Sequence, residues 1–190
     1  MSTDLSLVKF QILIIVILGF TIIAGTSSQA FAAVDMFLKI EGVDGESKDS
    51  KHKGEIDIES WSWGATQSGA ASGGGGGAGK VSFQDFHFTK SIDKSSPKLL
   101  ESLATGTHLK EAKLVLRSPG GSQTEYLVIT FSDVMVTSYS TGGSSGDDRP
   151  MEEVSLNFAK ISMSYVEDDG SGRAGASVNF GWDIKANKKV

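Results

Sequence analysis

Glu55–Lys90, EIDIESWSWGATQSGAASGGGGGAGKVSFQDFHFTK, sets a glycine tract between two segments with the residue chemistry of β-strands. Read from Gly74, GGGGAGKV has the G-x-x-x-x-G-K spacing of a phosphate-binding loop, but Val81 stands where such a loop carries the Ser or Thr hydroxyl that holds magnesium. A phosphate loop also needs a helix directly after it, because the free N–H groups of the helix N-terminus hold the anion. The tract runs instead into VSFQDFHF, rich in Phe and Val and without a helical apolar stripe, which reads as a strand. The stretch is therefore a hairpin with a long glycine loop rather than a nucleotide cradle.

Side-chain parity on the two arms carries more detail. Ile56 and Ile58 share one face whereas Trp61 and Trp63 fall on the other, so the buried face switches near Ser60, as at a bulge or in a strand shared by two surfaces. With the two Trp residues inward, Ser60 and Ser62 form a small polar outer wall. In the second arm Val81 and Phe83 give way to Phe86 and Phe88, a second change of parity.

Outward from this hairpin the same period recurs. Val34, Met36, Leu38 and Ile40 alternate along a first strand, and Gly42–Gly54 then follows, so polar that it reads as a solvated excursion. Ser95-Ser96-Pro97 starts the one clear helix: Ser96 is the expected cap, Pro97 fits the first turn, Leu99, Leu100 and Leu103 make the apolar stripe, and Gly106 ends it. LKEAKLVLRS and TEYLVITF flank a Ser-Pro-Gly-Gly turn as a hairpin, and VMVTSYST follows. In MEEVSLNFAKISMSYV the parity flips between Phe158 and Ile161, which predicts a bulge at Ala159 or Lys160, and VNFGWDIK alternates with Val178, Phe180, Trp182 and Ile184 inward. The sum is about eight strands, a mainly β fold in which a barrel-like pair of packed antiparallel sheets carries one short flanking α-helix.

The chain has 190 residues, 39% of them hydrophobic, enough for one domain with a core, and a net charge of -5 with scattered Lys and Arg, which excludes the basic stripe that nucleic acid requires. With no cysteine, disulfides, thiolate metal sites and cysteine nucleophiles are excluded. Phe10–Ala24, FQILIIVILGFTIIA, followed by Ala30-Phe31-Ala32, has the apolar run and small-residue site of a secretory signal over residues 1–32, with an uncleaved N-terminal anchor as the competing reading and residues 33–190 as the domain. Cleavage would leave no stable membrane association.

Catalytic readings fail on spacing. His52, His87 and His108 lack zinc-ligand intervals, and no nucleophile elbow supports a set made of Asp85, His87 and Ser82. Glu167-Asp168-Asp169-Gly170 lacks the alternating ligands of a calcium loop. No cofactor or metal is expected.

Several stretches occur in an order that resembles the haemolysin-coregulated proteins: Val34-Asp35-Met36-Phe37-Leu38-Lys39-Ile40, Gly45-Glu46-Ser47-Lys48-Asp49, Trp61-Ser62-Trp63-Gly64, Gly75 to Lys80, Phe88-Thr89-Lys90, Ser140-Thr141-Gly142-Gly143, Leu156-Asn157-Phe158-Ala159 and Phe180-Gly181-Trp182-Asp183-Ile184. The likeness runs from about Val34 to Val190. It implies a non-enzymatic, secreted subunit of the type VI secretion system: six copies close into a ring, rings stack into an inner tube, a contracting sheath drives the tube with its tip-spike proteins outward, and small effector proteins ride in the hole. It also implies that the long loop after the first strand, with Glu46, Ser47, Lys48, Asp49, Lys51 and His52, reaches neighbouring subunits, and that Ser60 and Ser62 face the lumen. Residues 1–32 depart from that pattern, and export by the general pathway, an upstream start codon and a tethered variant compete to explain them. A secreted glycan- or peptide-binding β module is the alternative from another class.

Overall fold

Alternating Met36, Leu38 and Ile40 build strand β1 (Asp35–Ile40), whose Leu38 is fully buried. The computed structural model describes residues 34–67, 80–119, 123–168 and 174–190; the readings of residues 1–32 and 68–79, and of the acidic turn beyond Asp168, lie outside them. Eleven strands occur among the described residues. The long arms expected on either side of the glycine tract are broken, the first into β2 (Ile56–Asp57), β3 (Ser60–Ser62) and β4 (Ala65–Gln67), the second into β5 (Val81–Phe83) and β6 (Phe86–Ser91). Both parity changes fall at these breaks. After helix α1 (Ser96–Thr105) come β7 (His108–Arg117), β8 (Glu125–Gly142), β9 (Met151–Asp168), β10 (Ala174–Asp183) and β11 (Lys188–Lys189). TEYLVITF and VMVTSYST, expected as two strands, are one.

One antiparallel sheet runs β11-β10-β9-β8-β7-β1-β2, while β6 pairs with the first half of β9 and with β3, and β4 pairs with β5 apart from the rest. β8 and β9 are 18 residues each and serve both layers. Their Leu127/Tyr165 end belongs with β7, β1 and β10, and their Tyr139/Val154 end with β6 and β3. The wrap is completed by one bent segment: Ile58 N–H donates to Met36 O (3.1 Å) and Glu59 N–H to Thr89 O (2.8 Å), so the piece between β2 and β3 joins β1 to β6. That is why Ile56 and Ile58 bury on one parity and Trp61 and Trp63 on the other.

The flip in β9 occurs where it was expected, but without a bulge there. Ser132 faces Lys160 and Val134 faces Phe158, so the pairing continues through Ala159, and the register shift lies farther along, between Val136 and Ser138. The inward positions change parity at one level in three strands, from Ala112 to Leu109, from Phe131 to Val134 and from Ile161 to Phe158. Asp133 sits at this kink with φ +54°, a left-handed conformation that Asp tolerates better than most residues, and its carboxylate lies 2.7 Å from His108 Nδ1.

Phe131 occupies the middle of the core, its ring 4.7 Å from both Phe86 and Phe158. Trp182 and Ile184 pack against this core as expected, but Val178 and Phe180 are 69% and 42% exposed. They pair with Tyr165 and Met163, toward the end of β9 remote from β6, and Tyr165 is exposed beside them.

In α1, Leu99 is buried and Leu103 packs against the core, while Leu100, expected in the same stripe, is 49% exposed. Gly106 at φ +63° ends the helix, with its N–H on Leu103 O and Thr107 N–H on Ser102 O, the paired bonds of a Schellman cap. Ser96 does not cap the N-terminus. Ser95 holds that position without a side-chain cap bond, and the Ser96 hydroxyl instead donates to Glu152 Oε2 (2.8 Å) and accepts from Lys90 Nζ (3.1 Å). Lys90 and Glu152 are wholly buried, 2.7 Å apart, with Asp93 Oδ1 2.8 Å from Lys90 and the Tyr139 hydroxyl donating to Glu152. Burial, together with this bond to an acid, pushes Tyr139 up to about 12.

Candidate functional site

The loop Gly42–Gly54 is folded down on the sheet, contrary to the solvated excursion expected from its composition. Phe37 explains why. It lies on the face of β1 opposite Leu38, and a large ring there must be covered; His52 stacks on it with centroids 4.1 Å apart and an interplanar angle of 10°. His52 is 5% exposed, its Nδ1 donating to Glu55 Oε2 (2.9 Å) and its Nε2 lying 3.6 Å from Glu125 Oε1. Val43 and Ser47 are buried too.

Charge and backbone bonds hold the rest of the loop. Arg117, 4% exposed, donates from Nη2 to Asp35 Oδ2 (2.7 Å) and to Asp49 Oδ2 (2.8 Å), and its guanidinium carbon is 4.9 Å from the Phe37 ring centre. The Arg117 hydrogen bond, with backbone donors from Lys51 and His52, holds the Asp49 carboxyl well below the usual carboxylate range. Gly45 N–H donates to Gly54 O, and Ser47 N–H to Glu55 O. A Cβ at position 45 would lie 2.2 Å from Glu55 O, so only glycine fits this close approach. Glu46 reaches the opposite way, accepting from Lys94 N–H (3.0 Å) and lying 3.6 Å from Arg149 Nη1. Of the six loop residues singled out in the sequence, Ser47 and His52 are turned into the fold, Asp49 is half-buried, and Glu46, Lys48 and Lys51 are on the surface.

Ser60 and Ser62 are exposed, as the parity argument requires, and the fold extends them into a wall. Register aligns Ser60–Thr89–Glu153–Ser140 in one row across β3, β6, β9 and β8, and Ser62–His87–Ser155–Ser138 in the next. Ser60 and Thr89 share a hydrogen bond of 2.7 Å, as do His87 and Ser155. Thr89, Glu153, Ser138 and Ser140 went unread in the sequence as part of this wall. Period-2 alternation against Phe88, Val154 and Tyr139 was the available signal, but only the register brings the four strands side by side.

Each member of the rejected catalytic set has its own surroundings: Asp85 accepts from Thr137 (2.6 Å) and Asn157 (2.8 Å), His87 is bonded to Ser155, and Ser82 is exposed in the separate β4–β5 pair. Among the described residues no group of three or more His, Asp or Glu is placed to hold a metal ion, and no helix is long and apolar enough to cross a membrane.

A family model described as "Type VI secretion system effector, Hcp" matches residues 37–165. Protein hcp1 of Pseudomonas aeruginosa is 52% identical over 158 residues, 82% of this chain and 98% of that protein. Among solved structures, Hcp1 from Salmonella typhimurium is 40% identical with a TM-score of 0.71, covering 83% of this chain and 99% of the other. A structure described as a type six secretion system protein is 32% identical with a TM-score of 0.78, covering 83% and 100%.

Proposed function

From the membership of this chain in the Hcp family of the type VI secretion system, we propose that it is a structural subunit of the secretion tube, assembling with copies of itself into stacked six-membered rings whose lumen carries small effectors. The observation that carries the reading is the pair of surfaces on one β domain. A continuous polar wall bears Ser60 and Ser62, and a polar loop is clamped to the sheet by Phe37, His52 and Arg117 while presenting Lys48 and Lys51 outward. A clamped loop loses little conformational entropy on docking, which suits a repeated contact between copies. Closure of a head-to-tail ring needs complementary patches on every copy.

Sedimentation and negative-stain microscopy of the purified domain test this. Annular particles support it, and a monomer at high concentration without annular outlines sinks it. Lys48→Glu and Lys51→Glu should leave the melting temperature within about 2 °C, since exposed side chains change stability by no more than about 0.5 kcal/mol. The same variants should shorten or abolish stacked assemblies. A lowered melting temperature with unchanged stacking removes the loop assignment.

Sheath and tip-spike proteins are the further partners of this reading, and secretion is its destination. Residues 1–32 are assigned as a cleaved signal on the strength of the Phe10–Ala24 run and the Ala30-Phe31-Ala32 site. N-terminal sequencing of the secreted protein should then start at Ala33; a start at Met1 excludes cleavage.

A further inference from the structure

The two-row wall carries six hydroxyl side chains, one imidazole and a single carboxylate, Glu153, with no Lys or Arg in either row. Elsewhere on the surface, charges of both signs stand together: Lys39, Lys51 and Lys113 line one cleft with Glu41, Glu55, Glu111 and Glu125. The Glu153 side chain is exposed and makes no hydrogen bond or ion pair among the described residues, unlike that of the neighbouring Glu152, which is bonded to Lys90, Ser96 and Tyr139. It lines a pocket of about 150 Å³ together with Ser60, Ser62, His87 and Thr89. Small-molecule sites are typically about 300–1,000 Å³, so this one suits the head of a single side chain.

We propose that this pocket binds lysine or arginine side chains of a polypeptide lying along the wall, so that the wall selects cationic cargo. The proposal deepens the lumen assignment of Ser60 and Ser62 and rests on it. An ammonium or guanidinium group donates only, and the pocket offers it acceptors of two kinds, a carboxylate and hydroxyl oxygens. No cation on the wall competes for Glu153. One such contact is weak, because exposed ion pairs contribute little, but a ring repeats it in every copy along a continuous surface, and linked weak sites add to appreciable affinity.

Fluorescence anisotropy with a labelled Lys/Ser peptide and a matched Glu/Ser peptide, on assembled rings at low salt, tests the proposal. The Lys/Ser peptide should bind in preference to the Glu/Ser peptide, and Glu153→Gln should weaken it by about threefold or more. Glu111→Gln removes the same charge from the exposed surface of β7 and should change binding less than twofold. Equal losses in the two variants mean that only net charge is read, and equal binding of the two peptides means no selection; either result overturns the proposal. Sedimentation of each sample separates the two levels. Absence of rings defeats the assembly reading, while the same titration of the monomer still decides whether Glu153 holds a cationic side chain.

Discussion

Lys90→Met should lower the melting temperature by about 6–20 °C, the largest loss expected from any single polar substitution in this domain. Removing one partner of a buried ion pair costs about 3–5 kcal/mol, and in a chain of this size each kcal/mol moves the midpoint by about 2–4 °C. Lys90 Nζ is the centre of the cluster at the start of α1, contacting Glu152, Asp93, Ser96 and the Ser91 carbonyl, so its loss leaves the wholly buried Glu152 carboxylate without its cation. Lys90→Met combined with Glu152→Leu should recover a good part of the loss, since replacing the whole pair with apolar side chains of similar volume removes the unpaired charge. A single variant as destabilised as the double variant contradicts this account. Melting must be compared at one protein concentration, because assembly adds its own stabilisation. The same cluster has a pH signature. Burial tends to raise the Asp93 carboxyl, but hydrogen bonds from Lys90 and Ser95 outweigh it and hold the group below its ordinary value. A depressed carboxyl contributes fully above its unfolded pKa of about 3.9, and that contribution is lost only as the pH falls through the lower folded value.

Phe131→Ala should cost about 3–5 kcal/mol, seen as a lower urea midpoint with an unchanged slope. The cost follows from position as much as from size. Phe131 touches Phe86 and Phe158 at 4.7 Å; Phe86 leads on to Phe88 and Trp61, and Phe158 to Phe83 and Trp63. One ring thus connects the aromatic residues of β3 and β6 with those beside the β4–β5 pair, and truncation opens a void that none of them can fill without leaving its rotamer. Phe131→Leu should cost less, because it retains most of the volume. A loss below about 1 kcal/mol for Phe131→Ala would mean that the two layers close over the gap.

Strand existence, strand parity and the short helix were open to reading in the chain itself because each depends on neighbours two to four positions away. Leu38 and Ile40, Phe86 and Phe88, Val154 and Leu156 declare their inward faces by alternation, and Trp61 against Ile58 declares the change of surface before β3. The helix end was equally legible, since Gly106 takes a backbone conformation that disfavours other residues. Val178 and Phe180 alternate just as well and yet stand exposed, because alternation shows that two side chains share a face and says nothing about whether another layer covers it. Ser96 looked like a cap and is a buried link to Lys90 and Glu152, the latter 56 residues away. The polar loop hid its packing for a related reason: Phe37 announced a face in need of cover, but which residue would cover it depended on where the chain returned. Arg117, 68 residues from Asp49, and Glu153, set beside Ser60 and Thr89 by two strand pairings, acquired their roles in the same way. Short-range pattern dictates which way a side chain points relative to its neighbours, whereas partners distant in sequence are assigned by register and by the turn of the chain that brings them within hydrogen-bonding reach.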